Sequence, residues 1–199
     1  MKLTKFEQSG FVLETDTGFK LAIDIGNKTS LEKLEHVSCD AVLVSHVHGD
    51  HFSIEQIKKL NPKKIYLNQG CIGLLGEQSF SFEVIKIGAG ETISIEGIEI
   101  QIFNVDHGPN VSTPLAENFG FLLTADNQTI YFAGDMFYPS GIDVSGLEVD
   151  YALIPVGGHY TFGPNEAFDF VKKFKKIRKV IAMHFEQNNY IDPIRHEEF

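Results

Sequence analysis

The 199-residue sequence has no tryptophan, only two cysteines and no long uninterrupted hydrophobic run. Two cysteines cannot build the disulfide framework typical of small secreted proteins, and we expect Cys39 to pack as a small apolar side chain beside residues 41–45. No stretch reaches the roughly 18 apolar residues that a membrane-spanning helix needs. Residues 1–16 also lack the apolar core of a secretory signal, so the sequence predicts a cytoplasmic protein with no membrane partner.

Basic residues are scarce as well. The 17 lysines and arginines are outnumbered by 27 acidic residues, which gives a formal net charge of −10. Nucleic-acid binding depends on a basic face, so this balance disfavours nucleic acid as the main partner and favours a small-molecule substrate. The length and the 43% hydrophobic content predict one globular domain over residues 1–199. The sequence does not determine the oligomeric state, and a homo-oligomer is one of the alternatives.

Strand patterns dominate the chain, with a few helices between them. Residues 40–45 (DAVLVS) form a continuous apolar run typical of a strand buried on both faces. Residues 54–60 predict a short helix capped by Ser53, and residues 163–179 predict a longer helix that begins with a proline. Alternating isoleucines around residues 96–97 predict a hairpin. This pattern predicts two sheets covered by helices, in a layered α/β architecture.

Four metal-ligand residues are crowded into residues 46–51 (HVHGDH). Alternate residues of an extended segment point the same way, so His46 and His48 can share one metal ion. Asp50 and His51 can then face a second ion, at the separation of about 3.5–4 Å that two-metal hydrolases use. Packing gives no reason for such a density of imidazole, and we interpret the segment as the start of a metal centre.

Three further predicted strands are each followed directly by a residue that can bind a metal ion. The strands that end in IFNVD, YFAG and VIAM are followed by His107, Asp135 and His184. One loop cannot fill two coordination spheres, so these residues are candidates for the rest of the centre. Each also has a plain structural interpretation, as a turn residue for His107 and Asp135 and as a core side chain for His184.

The complete HxHxDH motif at residues 46–51, followed in order by His107, Asp135 and His184, resembles the metallo-β-lactamase superfamily. The likeness extends over nearly the whole chain, and residues 153–167 (LIPVGGHYTFGPNEA) are similar to the small cytosolic hydrolases of the ascorbate-phosphate-lactonase type. The resemblance implies a four-layer αββα sandwich with its site at one end of the two sheets. The short chain has little room for the insertions of the superfamily's RNA nucleases.

The resemblance also implies two divalent metal ions, zinc first, with manganese or iron(II) as alternatives. The implied first set of ligands is His46, His48 and His107. The implied second set is Asp50, His51 and His184, with Asp135 bridging the two ions. The reaction implied is attack by a metal-bound hydroxide on a small-molecule ester, lactone, phosphodiester or amide. Asp50 or Asp135 would orient the water as a catalytic residue, and the intact His48 favours hydrolysis over di-iron redox chemistry.

His159 is the last catalytic candidate. It lies in the loop VGGHYTFG, where the lactonase-like proteins place a polar side chain at the rim of the site, and it is equally compatible with an ordinary loop residue. The basic run at residues 172–179 is interpreted as the solvated face of the last helix rather than as an anion site. His36 and His196 are interpreted as ordinary surface or core residues, and residues 186–199 match no pattern. The rival function is a non-catalytic metal-binding or ligand-sensing protein of the same fold.

Overall fold

The computed structural model describes residues 1–77, 79–109 and 117–185. The interpretation of His196 and the question of the tail at 186–199 lie outside the described residues. Contacts divide the described chain into two compact units. Unit 1 contains residues 1–77, 79–88 and 117, and unit 2 contains residues 89–109 and 118–185. The single domain over residues 1–199 stays a prediction.

Unit 1 is built on a six-stranded sheet whose strands follow one another in chain order. The strands are β1 (Lys2–Lys5), β2 (Phe11–Glu14), β3 (Lys20–Ile23), β4 (Ala41–Leu43), β5 (Lys64–Leu67) and β6 (Glu83–Lys86), with helices α1 (Ile54–Leu60) and α2 (Gln69–Leu74). Strands β1 to β3 pair antiparallel, whereas β3 to β6 pair parallel. The carboxyl ends of β3, β4 and β5 therefore share one edge of the sheet.

The central strand β4 is buried throughout, as its apolar run predicts. Helix α1 matches its predicted bounds and buries Ile57 and Leu60 in the apolar core of the unit. Ser53 occupies the N-cap position, but the predicted side-chain cap is wrong: its hydroxyl donates instead to the side chain of Gln56. The sequence analysis missed α2, whose first turn is capped where the Asn68 side chain accepts a hydrogen bond from a backbone amide at 2.8 Å.

Unit 2 contains the second six-stranded sheet, in the order β12-β11-β10-β9-β8-β7. Its elements are β7 (Thr92–Ile95), β8 (Ile98–Asn104), β9 (Phe119–Ala125), β10 (Gln128–Phe132), β11 (Glu148–Pro155), α3 (Pro164–Val171) and β12 (Lys176–Met183). Strands β7 to β10 are antiparallel, and β10 to β12 are parallel. As a result β8, β10, β11 and β12 all run the same way and end at the same edge.

The predicted hairpin between β7 and β8 is confirmed. Glu96 and Gly97 both have positive φ, 46° and 85°, which is the backbone of a two-residue turn that matches the twist of the strands. Prolonging the last helix to residue 179 was wrong. Helix α3 ends at Val171, and the chain from Lys176 onward pairs with β11 over eight residues. Tertiary pairing with a neighbouring strand outweighs the helical spacing of the apolar residues.

The basic run therefore does not form one helical face. Lys172 and Lys173 follow α3, whereas Lys176, Arg178 and Lys179 lie at exposed positions of β12, an edge strand. Charged side chains on an edge strand discourage pairing with another chain. The solvated character of the run is as predicted, and only its helical placement is corrected.

Three further expectations concern burial. Cys39 is 5% exposed and packs in the core of unit 1, as predicted, and burial raises the pKa of its thiol to about 12. His36 is exposed, as its interpretation as an ordinary residue allows. Among the described residues, no helix has the length and the apolar character needed to cross a membrane.

Candidate metal centre

The histidine loop of unit 1 begins directly after β4. His46 and His51 are buried, whereas His48 and Asp50 are half-buried. The Nε2 atom of His46 lies 3.1 Å from the Nδ1 atom of His48, so the two rings direct one nitrogen each toward the same point. This is the arrangement that the alternate spacing predicts, and it suits two ligands of a single ion.

A buried aspartate that the sequence analysis missed lies beneath this loop. Asp24 follows β3 with a positive φ of 49° and is 0% exposed. Its Oδ1 accepts a hydrogen bond from the backbone N–H of Ser45 at 2.7 Å. Its Oδ2 accepts one from the Ser45 hydroxyl at 2.5 Å and lies 2.8 Å from His51 Nδ1. The sequence contained one signal for a buried role of Asp24, because it is a charged residue among the apolar residues at the end of a predicted strand (LAIDIG, residues 21–26).

These contacts determine the tautomers of two histidines. An ionised carboxylate only accepts hydrogen bonds, so the Ser45 hydroxyl donates its one hydrogen to Asp24. The hydroxyl oxygen must then accept from His46 Nδ1, which lies 2.8 Å away. His51 likewise donates from Nδ1 to Asp24. In the neutral imidazole, both rings then present an unprotonated Nε2, which is the form that binds a metal.

Asp50 has a neighbour from the start of the chain. The Nε2 atom of Gln8 lies 3.5 Å from Asp50 Oδ2, and that same carboxylate oxygen is 3.8 Å from His51 Nε2. Gln8 is 4% exposed and has a positive φ of 54°. A buried amide in this conformation restricts the orientation of the carboxylate, and nothing in the sequence pattern marked Gln8 for this place.

Unit 2 brings the other three candidates together at one edge of its sheet. His107 follows β8, Asp135 follows β10 and His184 follows β12, and all three are buried. Asp135 Oδ2 lies 3.3 Å from Nε2 of His107 and 3.0 Å from Nε2 of His184. Two imidazoles flanking one carboxylate oxygen is what a shared coordination site requires.

The backbone around Asp135 is tightly held. Asn118 donates from its side chain to the carbonyl of Asp135 at 3.0 Å. Gly134, immediately before, has a φ of 58°, and a Cβ there would lie 2.3 Å from the carbonyl oxygen of Phe119. Only glycine fits this position, which sets the direction in which the Asp135 side chain leaves the strand.

The loop that contains His159 is anchored to the same edge. Val156 donates to the carbonyl of Met183 at 3.0 Å, one residue before His184. Phe162 donates to the carbonyl of Met136 at 2.8 Å, one residue after Asp135. His159 lies between these anchors, exposed, with a positive φ of 53°. Its predicted place at the rim of the site and its chemical role stay predictions.

The donor set fits a divalent transition metal. Within unit 1 the ligand atoms of His46 and His48, and those of Asp50 and His51, lie within 4.8 Å of each other. Neutral imidazole and carboxylate in a buried setting are ligands for zinc, manganese and iron(II). Asp24 also lies within that distance of His46 and His51. Its oxygens already accept hydrogen bonds, so it orients ligands rather than acting as one.

Comparisons with known proteins agree on one group. Residues 2–184 match the profile of the beta-lactamase superfamily domain. The chain is similar to a UPF0173 metal-dependent hydrolase of Pelotomaculum thermopropionicum, with 30% identity over 93% of this chain and 84% of the relative. It is also similar to the corresponding protein of Thermococcus kodakarensis, with 32% identity over 80% of this chain and 73% of the relative.

Solved structures give the same result for the fold. Igni18, a metallo hydrolase from Ignicoccus hospitalis, matches with a TM-score of 0.77 and 25% identity over 95% of this chain and 84% of that one. An isothiocyanate hydrolase from Delia radicum gut bacteria matches with a TM-score of 0.75 and 22% identity over 100% of this chain and 91% of that one. The predicted fold class, an α/β fold of the metallo-β-lactamase type, is confirmed by these matches.

Proposed function

The chain belongs to the beta-lactamase superfamily and is a metal-dependent hydrolase of that group; from this we propose that it uses two divalent ions, zinc first, to hydrolyse a small-molecule substrate. The observation that carries the proposal is Asp135 between two histidines. One of its oxygens lies within 3.3 Å of both His107 and His184, as a shared ligand must.

The proposed ligand sets follow the order of the family motif. His46, His48 and His107 form the first set. Asp50, His51 and His184 form the second, with Asp135 common to both. Support comes from the proximity of ligand atoms inside each unit and from the metal-binding tautomers of His46 and His51.

The chain's own residues prepare this site for hydrolysis. Such ions, when bound, lower the pKa of a coordinated water and polarise a carbonyl or phosphoryl oxygen. Asp24 holds two histidines in the binding tautomer, and Gln8 restrains Asp50. The carboxylates of Asp50 and Asp135 are the groups that can accept the proton of the attacking water. Burial of His46, His51, His107, Asp135 and His184 lowers the local dielectric and strengthens their electrostatic interactions.

Two further parts of the proposal concern the class of substrate and the location of the protein. A net charge of −10 supports a small-molecule substrate rather than nucleic acid. A cytoplasmic location is part of the proposal.

Metal content tests the binuclear proposal directly. Protein purified without added metal should contain about two ions per chain by elemental analysis. Replacement of Asp135 by Ala should lower that content and abolish hydrolysis. The matched control is Asp143→Ala, an exposed aspartate of the same unit, which should change neither. The proposal would be overturned by a metal content near zero that added zinc or manganese does not raise. It would also be overturned by full activity of the Asp135→Ala variant.

A substrate panel tests the reaction. Generic esters, lactones, amides and phosphodiesters should include at least one class that the wild-type protein hydrolyses and the Asp135→Ala variant does not. If metal is bound at two per chain and no class is turned over, the protein is a ligand-binding member of the fold and the hydrolytic proposal fails.

A further inference from the structure

Unit 2 has a cavity of about 460 Å³ whose lining includes none of the seven candidate metal ligands. A volume of this size accommodates a small organic molecule. Its walls come from the segment after β10, from the His159 loop and from helix α3. The cavity therefore lies among the elements that follow the ligand-bearing strand ends of the same sheet.

The first wall is tied closely to two candidate ligands. Phe137, which lines the cavity, is two residues beyond Asp135 and donates its backbone N–H to the carbonyl of Asp106 at 2.7 Å. Its ring packs on Gly108, where an added Cβ would lie 2.4 Å from a ring carbon. Gly108 directly follows His107. One aromatic side chain thus connects the cavity to the strand ends that carry His107 and Asp135.

The lining is largely apolar. The rings of Phe137 and Tyr138 meet edge to face, with centroids 4.8 Å apart, and Pro139 continues this wall. Phe170 of α3 is 3% exposed and contributes an aromatic surface from the core. Such walls favour a planar aromatic or a branched aliphatic group, because they offer apolar area and ring edges.

The charged groups at the cavity disfavour an anion. Glu166 and Asp169 contribute two negative charges and Lys173 one positive charge, so the formal charge is −1 with His159 neutral. An ion pair of 3.3 Å ties Asp169 to Lys172, a residue outside the lining. The lining therefore has the same sign as the net charge of the whole chain, −10. Within this lining, a phosphodiester or carboxylate group would meet a net negative charge, whereas the positive charge of bound metal ions would lie at the ligand residues.

We infer that this cavity binds the uncharged aryl or branched alkyl part of a neutral carbonyl substrate, an ester, lactone or amide, and selects against anionic substrates such as phosphodiesters. This inference rests on the proposed function. In the reaction, the oxygen of water bonds to the carbonyl carbon while the acyl bond to oxygen or nitrogen breaks, and a proton passes to the departing alkoxide or amine. His159 also lines the cavity, so its imidazole is the group that would hydrogen-bond the carbonyl-bearing part of the ligand.

Three esters with one leaving group test the selection in the metal-loaded enzyme. They are 4-nitrophenyl phenylacetate, 4-nitrophenyl acetate and 4-nitrophenyl hemisuccinate. The phenylacetate should have a KM about tenfold below that of the acetate, because its ring occupies the apolar wall. The hemisuccinate, which carries a carboxylate, should have the highest KM. Equal KM values for all three would overturn the inference.

Matched variants locate the effect in the cavity. Tyr138→Ala should raise KM for the phenylacetate about fivefold, the usual value of an aromatic contact, and more than for the acetate. The control is Phe168→Ala, an aromatic residue of α3 that is 55% exposed and does not line the cavity. Glu166→Lys should lower KM for the hemisuccinate about threefold, whereas Glu99→Lys on β8 should not. Unchanged KM values in Tyr138→Ala and Glu166→Lys would refute the assignment.

A binding measurement separates this inference from the proposed function. Phenylacetone is neutral, has the same aryl group and cannot be hydrolysed. In ligand-observed NMR with the protein as purified, it should bind wild type and Phe168→Ala, and bind Tyr138→Ala more weakly. If no ester is hydrolysed but this pattern holds, the hydrolytic proposal fails and the cavity assignment stands. If esters are hydrolysed and phenylacetone does not bind, the cavity assignment fails alone.

Discussion

Oδ2 of Asp24 lies 2.8 Å from Nδ1 of His51, and the same oxygen accepts the hydroxyl proton of Ser45, which in turn accepts from His46. One buried carboxylate thereby controls the orientation and tautomer of two candidate ligands. Partners of this kind affect metal binding although they do not touch the metal.

Asp24→Asn should weaken metal binding. An amide has one acceptor oxygen and two N–H donors. With its oxygen in place of Oδ2, its NH2 group would face the backbone N–H of Ser45, and in the flipped orientation it would face the Ser45 hydroxyl and His51, so one donor is always left without its acceptor. We expect a loss of about 10- to 100-fold in metal affinity, measured by competition with a chromophoric chelator. Asp126→Asn is the control, because Asp126 shares the left-handed backbone, φ 51°, but belongs to a turn between β9 and β10. Wild-type affinity in a folded Asp24→Asn variant would contradict the tautomer argument.

Ser45→Ala should have a smaller effect in the same assay. It removes the link from Asp24 to His46 but leaves the contact between Asp24 and His51 intact. We expect a loss of about tenfold in metal affinity, at the low end for such partners. Ser53→Ala removes a hydroxyl that donates to the side chain of Gln56, away from the metal ligands, and this variant should bind metal like wild type. A larger loss in Ser45→Ala than in Asp24→Asn would show that the carboxylate is not the controlling group.

Gly26→Ala should destabilise unit 1 and disturb the histidine loop. A Cβ at Gly26 would lie 2.1 Å from the carbonyl carbon of Asp50 and 2.5 Å from the backbone nitrogen of His51. Backbone cannot move aside cheaply, so we expect the free energy of unfolding in urea to fall by about 1–3 kcal/mol, with weaker metal binding.

The matched variant for this prediction is Gly73→Ala in α2, where an added Cβ meets no atom within 4 Å. Alanine is the better helix former, so stability should rise by about 0.5–1 kcal/mol. Equal effects of the two substitutions would mean that the contact with Asp50 is not the cause.

Both thiols should be unreactive in the native protein. Burial raises the pKa of Cys39 to about 12 and also raises that of Cys71, so both stay protonated at pH 8, where only thiolates react. Ellman's reagent should therefore label close to zero thiols per native chain at pH 8 and two per chain in urea. Rapid labelling of one thiol without urea would show that its part of the core opens.

Two features of unit 2 show how local pattern and long-range pairing compete. The turn at Glu96-Gly97 was predictable, because two residues between alternating strands determine their own backbone. The conformation of the segment after Val171 was not predictable from its local pattern. Its apolar residues have helical spacing, but the segment pairs as a strand with β11, which lies more than twenty residues earlier in the chain.

The sequence by itself determined the metal-binding character of the chain. Alternate spacing places His46 beside His48, and strand patterns place His107, Asp135 and His184 at strand ends, since both properties depend on neighbours in the chain. Tertiary structure alone decided what supports and surrounds them. Asp24 and Gln8 reach the histidine loop from distant segments, and the cavity beside Phe137 is assembled from three separate elements. Side chains far apart in sequence meet only when the sheets form, and a one-dimensional pattern carries no measure of that distance.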